Sequence, residues 1–236
     1  MYTVTNNMQR PDDSKFLKGR LSNSRRYALK LTLVLITILF AIFLFALIIK
    51  IAAIRGTMYY YDNEFKILLN GWGGANFELI MNNIIEYFDK YLVWIIPCLL
   101  FVILVLKKDW WNILALFLSI GGGIILISYL KNAFHRWSHM LNIVDRGGDP
   151  FPSGHACYAM IIFGFIMYMA LDFLENNCLK ALILFLCTLS ILLIGTSLIS
   201  LDHHWFAEVL GGYCVGCSSL LISILMIKTI SYLRKA

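Results

Sequence analysis

The chain is 236 residues long, 60% hydrophobic and only 14% charged, with a mean hydropathy of +0.75. That balance excludes an ordinary soluble domain, whose water-facing surface needs far more charge, and it makes lipid the solvent for most of the chain. The formal net charge of +6 is accounted for by basic residues held on the cytoplasmic side of a membrane and by anionic headgroups, so no nucleic-acid partner is called for.

Residues 1–28 are polar and carry Arg10, Lys15, Lys18, Arg20, Arg25 and Arg26. They read as a cytoplasmic tail ahead of a single membrane domain over 29–236. Apolar runs then recur at about 31–53, 92–106, 111–130, 156–171, 182–201 and 206–227. A helix needs roughly 20 residues to cross a hydrocarbon core; most runs approach this, and the second and fourth must draw on their flanks. The expected fold is all-α, a polytopic six-transmembrane-helix bundle. Lys107 and Lys108, then Lys228, Arg234 and Lys235, fall on the same side as the tail, which places both termini in the cytoplasm. No small-residue cleavage site follows the first run, so it reads as an uncleaved anchor.

Between the first two runs, Phe77, Ile80, Met81, Ile84, Ile85 and Phe88 recur at helical spacing, with Glu78, Asn82, Asn83, Glu86 and Asp89 between them. This predicts an outer interfacial helix. Tyr59, Tyr60, Tyr61 and Trp72 suit the headgroup layer. Gly121 to Gly123, and the Gly212-x-x-x-Gly216 pair, predict close approach between helices in lipid. Cys214 and Cys217 form an isolated C-x-x-C inside a run and read as small packing residues.

All five histidines, His135, His139, His155, His203 and His204, fall in or beside the two later outer loops. They share that side of the membrane with Lys131, Arg136, Arg146, Ser153 and Glu208, where ionisable groups are costly and tend to be functional. Pro152-Ser153-Gly154-His155 stands immediately before the fourth run, and a proline-serine-glycine turn at a helix start offers free N–H groups and the positive dipole end to an anion. A turn before any helix looks the same, so this element needs partners. His204-Trp205-Phe206-Ala207-Glu208 opens the last run. Its spacing of four puts His204 and Glu208 on one helix face, so the carboxylate can hold one imidazole nitrogen and leave the other to attack or to move a proton; a pair that merely satisfies itself has the same spacing. Lys131-Asn132-Ala133-Phe134-His135-Arg136 adds two cations at the outer end of the third run, able to neutralise a phosphate or simply to snorkel to headgroups.

In this order and spacing the three elements resemble the type 2 phosphatidic acid phosphatase superfamily. Its motifs are Lys, six residues, Arg-Pro; then Pro-Ser-Gly-His; then Ser-Arg, five residues, His, three residues, Asp. The likeness covers about 131–212, and the middle motif matches in full. The first keeps Lys131, but Ser138 and His139 stand at Arg-Pro, and Arg136 matches an extra arginine that many members carry. The third keeps Ser197 and His204, with Leu198 at the arginine and Glu208 at the acid.

The resemblance implies a lipid phosphatase acting without metal or other cofactor. His204 would attack phosphorus, Glu208 would orient it, and His155 would protonate the leaving oxygen. Lys131, Arg136, Ser153, Gly154 and Ser197 would hold the phosphate. The substrate would be a membrane lipid phosphate or diphosphate, of the polyprenyl diphosphate, phosphatidylglycerol phosphate or lipid A class, met at the outer face of a bacterial cytoplasmic membrane. Transfer to a second lipid uses the same histidines. The arginine losses motivate a second reading, a headgroup- or partner-binding protein without turnover. A metal-dependent enzyme built on His135 and His139 lacks a carboxylate between them, and a transporter lacks paired broken helices. Oligomeric state is left open.

Overall fold

The computed structural model describes residues 35, 39, 43, 64, 65, 67–69, 71, 74–140 and 151–235, without the side chains at 75, 134–140, 232, 233 and 235. The tail, all of the first apolar run but Leu35, Leu39 and Phe43, the tyrosines at 59–61, Trp72 and Arg146 lie outside these residues. Every regular element described is helical: α1 (Gly74–Tyr87), a π-helical turn (Phe88–Leu92), α2 (Val93–Leu106), α3 (Trp110–Met140), α4 (Gly154–Phe173), α5 (Asn177–Ser200) and α6 (Phe206–Lys235).

Five helical stretches among the described residues are long and apolar enough to cross a membrane: Asn76–Leu106, Trp110–Ala133, Gly154–Phe173, Asn177–Ser200 and Phe206–Ser231. Their outward faces are apolar as well as their inward ones. On α5, Leu182, Phe185, Leu186, Leu189 and Leu192 are exposed at helical spacing, as lipid requires and water would penalise. The protein is a multi-pass membrane protein.

The amphipathic helix expected at 77–88 is present, and it runs into the second apolar run without a break. The resulting 31-residue helix is about 46 Å long at 1.5 Å per residue, longer than a hydrocarbon core of about 30 Å requires. Met81, Ile85 and Phe88 are buried, with α1 packed along α5. The π turn marks the join, where the Val93 N–H reaches back five residues to Phe88 O.

Local chemistry sets the other helix starts. Asp109 Oδ1 accepts the Asn112 N–H at 3.2 Å at the start of α3. Asn176 Oδ1 accepts from Cys178 and Leu179 at 2.9 and 3.2 Å at the start of α5. Each satisfies donors that a helix start leaves bare.

Close packing of α3, α4 and α6 depends on small residues. A Cβ at Gly216 would stand 2.5 Å from Cys157 O, and one at Gly123 would stand 2.5 Å from Ile161 Cδ1. Ser219 Oγ on α6 donates to Ser119 O on α3 at 2.7 Å, a buried polar link between helices that have no water to turn to. Lys107, Asp172, Lys228 and Arg234 gather at the ends of α2, α4 and α6. There Lys228 Nζ lies 3.3 Å from Asp172 Oδ1, and Lys107 lies over the Phe173 ring. The histidines occupy the opposite helix ends.

Candidate active site

Ser153 caps α4. Its side chain accepts the Ala156 N–H at 3.4 Å, its backbone is extended at φ −65° and ψ 121°, and it is fully buried. Gly154 and His155 form the first turn beyond it, so the amide-rich start expected from the Pro-Ser-Gly-His motif is in place. The Ser153 N–H is not part of that free set, because it donates to Glu208 O at 3.0 Å. This bond ties the start of α4 to the start of α6.

At α6, Glu208 Oε2 lies 3.1 Å from His204 Nδ1 and also accepts the Trp205 N–H at 3.1 Å. The second contact is half of a capping box, with the third helical residue reaching back to the residue before the helix. Both side chains are well enclosed, at 12% and 8% exposure. Immediately upstream, the His203 and His204 N–H groups both donate to Leu198 O at 3.1 Å. The imidazole of His204 is therefore held from its backbone and from one ring nitrogen.

Close contact between α4 and α6 brings the two histidines together, with ring centroids 6.0 Å apart. Glycine is what permits it: a Cβ at Gly212 would collide with Ser153 O and come within 2.8 Å of Ala156 Cβ. The predicted Gly212/Gly216 pair thus lies directly beneath the motif turn.

Sequence reasoning did not assign a role to Asp89. From the π turn its Oδ2 reaches His155 Nε2 at 3.3 Å, with both side chains a little over two-fifths exposed. His155 Nδ1 is buried without a hydrogen-bond partner. The charges of Asp89 and Lys131 and the rings of His203 and His204 all act electrostatically on His155. A signal was available, since Asp89 is an acid within a long apolar helix, but its partner lies 66 positions later, beyond the reach of any local motif.

The structure brings together His155, His204, Glu208, Ser153 and Gly154, and it sets Lys131 within electrostatic reach. Ser197 is fully buried. Its hydroxyl donates to Leu193 O at 2.8 Å and lies 3.4 Å from Met81 Sδ, so in this structure it faces its own helix and α1. Leu198, standing where the resembled motif has arginine, is a fully buried core residue. Arg136 lies on α3 with its side chain, like those of His135, Ser138 and His139, outside the described set. Among the described residues no group of three His, Cys, Asp or Glu is placed to hold a metal ion.

A family model described as the PAP2 superfamily matches residues 112–232. The crystal structure of a transmembrane PAP2-type phosphatidylglycerolphosphate phosphatase from Bacillus subtilis is similar, with a TM-score of 0.62 and 21% identity over 82% of this chain and 96% of that one. The structure of LpxE from Aquifex aeolicus aligns with a TM-score of 0.49 and 20% identity, over 68% of this chain and 93% of that one. No curated protein sequence matches the chain.

Proposed function

Because this chain belongs to the PAP2 superfamily, whose model covers just over half of it, we propose that it is an integral-membrane lipid phosphatase working through a phosphohistidine on His204. The observation that carries this reading is the 3.1 Å contact between Glu208 Oε2 and His204 Nδ1. It fixes the ring and leaves Nε2 as the nitrogen for phosphorus.

In the first step His204 Nε2 forms a bond to phosphorus, the bond from phosphorus to the lipid oxygen breaks, and His155 gives that oxygen a proton. In the second, His155 takes a proton from water, which displaces the imidazole and releases phosphate. A lipid hydroxyl in place of water gives phosphoryl transfer with the same groups. Lys131, Arg136 and the Gly154 amide are proposed to hold the phosphate oxygens, stabilising the charge on the transferring group; the Ser153 amide and the Ser197 hydroxyl, which the motif match also offers, are engaged by Glu208 O and Leu193 O. No step requires a metal. The substrate is a lipid phosphate or diphosphate of the polyprenyl diphosphate, phosphatidylglycerol phosphate or lipid A class. It would be met at the outer face of a bacterial cytoplasmic membrane, with both chain ends in the cytoplasm.

One observation favours a second reading, a lipid-headgroup binder without turnover: Leu198 is buried in the core where the motif has a phosphate-binding arginine. A charge-assisted contact is worth about 1.5–3 kcal/mol, so its loss weakens phosphate binding unless Lys131 and Arg136 make it up.

The test is phosphate release by purified protein in detergent from a panel of lipid phosphates, comparing wild type with His204→Ala, His155→Ala and an EDTA-treated sample. Release that persists in EDTA and vanishes in both variants is the expected result. Silence of the wild type on every lipid, with and without a lipid acceptor, would move the assignment to the binder.

A further inference from the structure

The phosphatase reading leaves open whether phosphate monoesters or diphosphates are preferred, and the Asp89–His155 pair bears on that choice. Resting on that reading, we infer that Asp89 is a specificity-determining residue, whose carboxylate beside His155 Nε2 favours lipid phosphate monoesters over lipid diphosphates.

His155 has one nitrogen that a substrate can reach. Nδ1 is buried, while the half of the ring bearing Nε2 faces Asp89 in a partly exposed position. Whichever oxygen takes the Nε2 proton does so beside Asp89 Oδ2, which is 3.3 Å from that nitrogen. The nearest cation in sequence does not neutralise this carboxylate, because Lys90 is ion-paired with Glu86 one turn earlier. Among the described residues Lys131 is the cation that acts on His155, and under the proposed mechanism it serves the phosphoryl group being transferred.

The two substrate classes differ in what departs past Asp89. From a monoester the leaving oxygen is an alkoxide. It takes the His155 proton as its bond to phosphorus breaks and leaves as a neutral alcohol, to which a neighbouring carboxylate offers no repulsion. From a diphosphate, attack on the terminal phosphorus expels a lipid phosphate. That group is anionic whether or not it is protonated, and it departs without needing an acid. A fixed negative charge within a few ångströms opposes it. The carboxylate therefore repels the leaving group in one case and not in the other.

The position of Asp89 is a property of the fold. The π turn at Phe88–Leu92 adds a residue to the helical register, buries Phe88 completely and presents the next side chain to α4. Such turns inside α-helices recur at functional sites.

The experiment measures kcat/KM of the full-length protein in one detergent on phosphatidic acid and on farnesyl diphosphate, for wild type, Asp89→Asn and Asp89→Glu. Wild type should favour the monoester. Asp89→Asn, isosteric and partly exposed, should lower the monoester-to-diphosphate ratio by roughly tenfold or more, mainly by raising the diphosphate rate, and Asp89→Glu should restore the ratio. An active Asp89→Asn enzyme with an unchanged ratio, or one losing both activities equally, overturns the inference and leaves the phosphatase intact. A wild type silent on both substrates overturns this inference, and silence on the whole lipid panel overturns the phosphatase reading with it.

Discussion

Glu208 Oε2 lies 3.1 Å from His204 Nδ1 and accepts the Trp205 N–H at the same distance. One oxygen thus serves both the start of α6 and the orientation of the proposed nucleophile, and the two duties can be separated. Glu208→Gln keeps an oxygen for the Trp205 N–H but removes the charge that balances the imidazole. Its thermal midpoint in detergent should stay close to wild type while kcat falls roughly 10²–10⁴-fold. Glu208→Ala should lose the same activity and also roughly 0.5–2 kcal/mol of stability through the missing cap. Near wild-type turnover in Glu208→Gln would remove the carboxylate from the mechanism.

If His155 is the acid, its value depends on the leaving group. Phosphatidic acid expels an alkoxide that needs a proton, whereas p-nitrophenyl phosphate expels a stable phenolate that does not. His155→Ala should therefore cost roughly 10²–10⁴-fold on the lipid and only a small factor on the aryl ester. Equal losses on both substrates would show that the ring positions phosphate and moves no proton.

How far the site could be read in advance depended on the range of each contact. The His204–Glu208 pair follows from a spacing of four residues, and the helix start at Pro152-Ser153-Gly154 from turn residues standing before an apolar run. Both are local, and both are found. Asp89 is not local, because its approach to His155 requires a π turn that no residue pattern announces and the packing of two helices far apart in sequence. The partner of Gly212 was equally hidden: the small-residue pair predicted a close crossing, but only the fold identifies Ser153 O and Ala156 as what lies across it. Ser197 shows the opposite failure. A serine within an apolar helix returns its hydroxyl to the carbonyl four residues earlier, as it does here to Leu193, and a motif match does not register that competing local bond. At the level of fold, the runs at 156–171, 182–201 and 206–227 are all found as helices, since continuous apolar stretches leave lipid-spanning helices as the only way to satisfy their backbones.

The opposite end of the bundle supplies a contrast. Lys228 and Asp172 form an ion pair at 3.3 Å, with side chains 53% and 41% exposed. An exposed pair of this kind contributes about 0–1 kcal/mol. Lys228→Ala should shift the thermal midpoint little and leave kcat/KM within about twofold of wild type, measured on the same lipid. A large loss of turnover would mean that this end of the bundle is coupled to the histidines.

The crossing of α4 and α6 makes the sharpest packing prediction, because a single methyl group tests it. At Gly212 a Cβ would collide with Ser153 O and crowd Ala156 Cβ and Cys157 N, all in the first turns of the helix that carries His155. Backbone cannot give way as a side chain does, so Gly212→Ala must push α4 outward. The expected cost is about 1–3 kcal/mol of stability. A larger loss of activity should accompany it, since the 6.0 Å separation of the His155 and His204 rings is set at this crossing and small misplacements of reacting groups are expensive. Gly121→Ala is the matched control: a Cβ there meets nothing within 4 Å, and alanine is the better helix former. Thermal melting and phosphate release measured on both variants should separate them clearly. If Gly212→Ala melts and turns over like Gly121→Ala, the two helices are not held together in the way the histidine site requires.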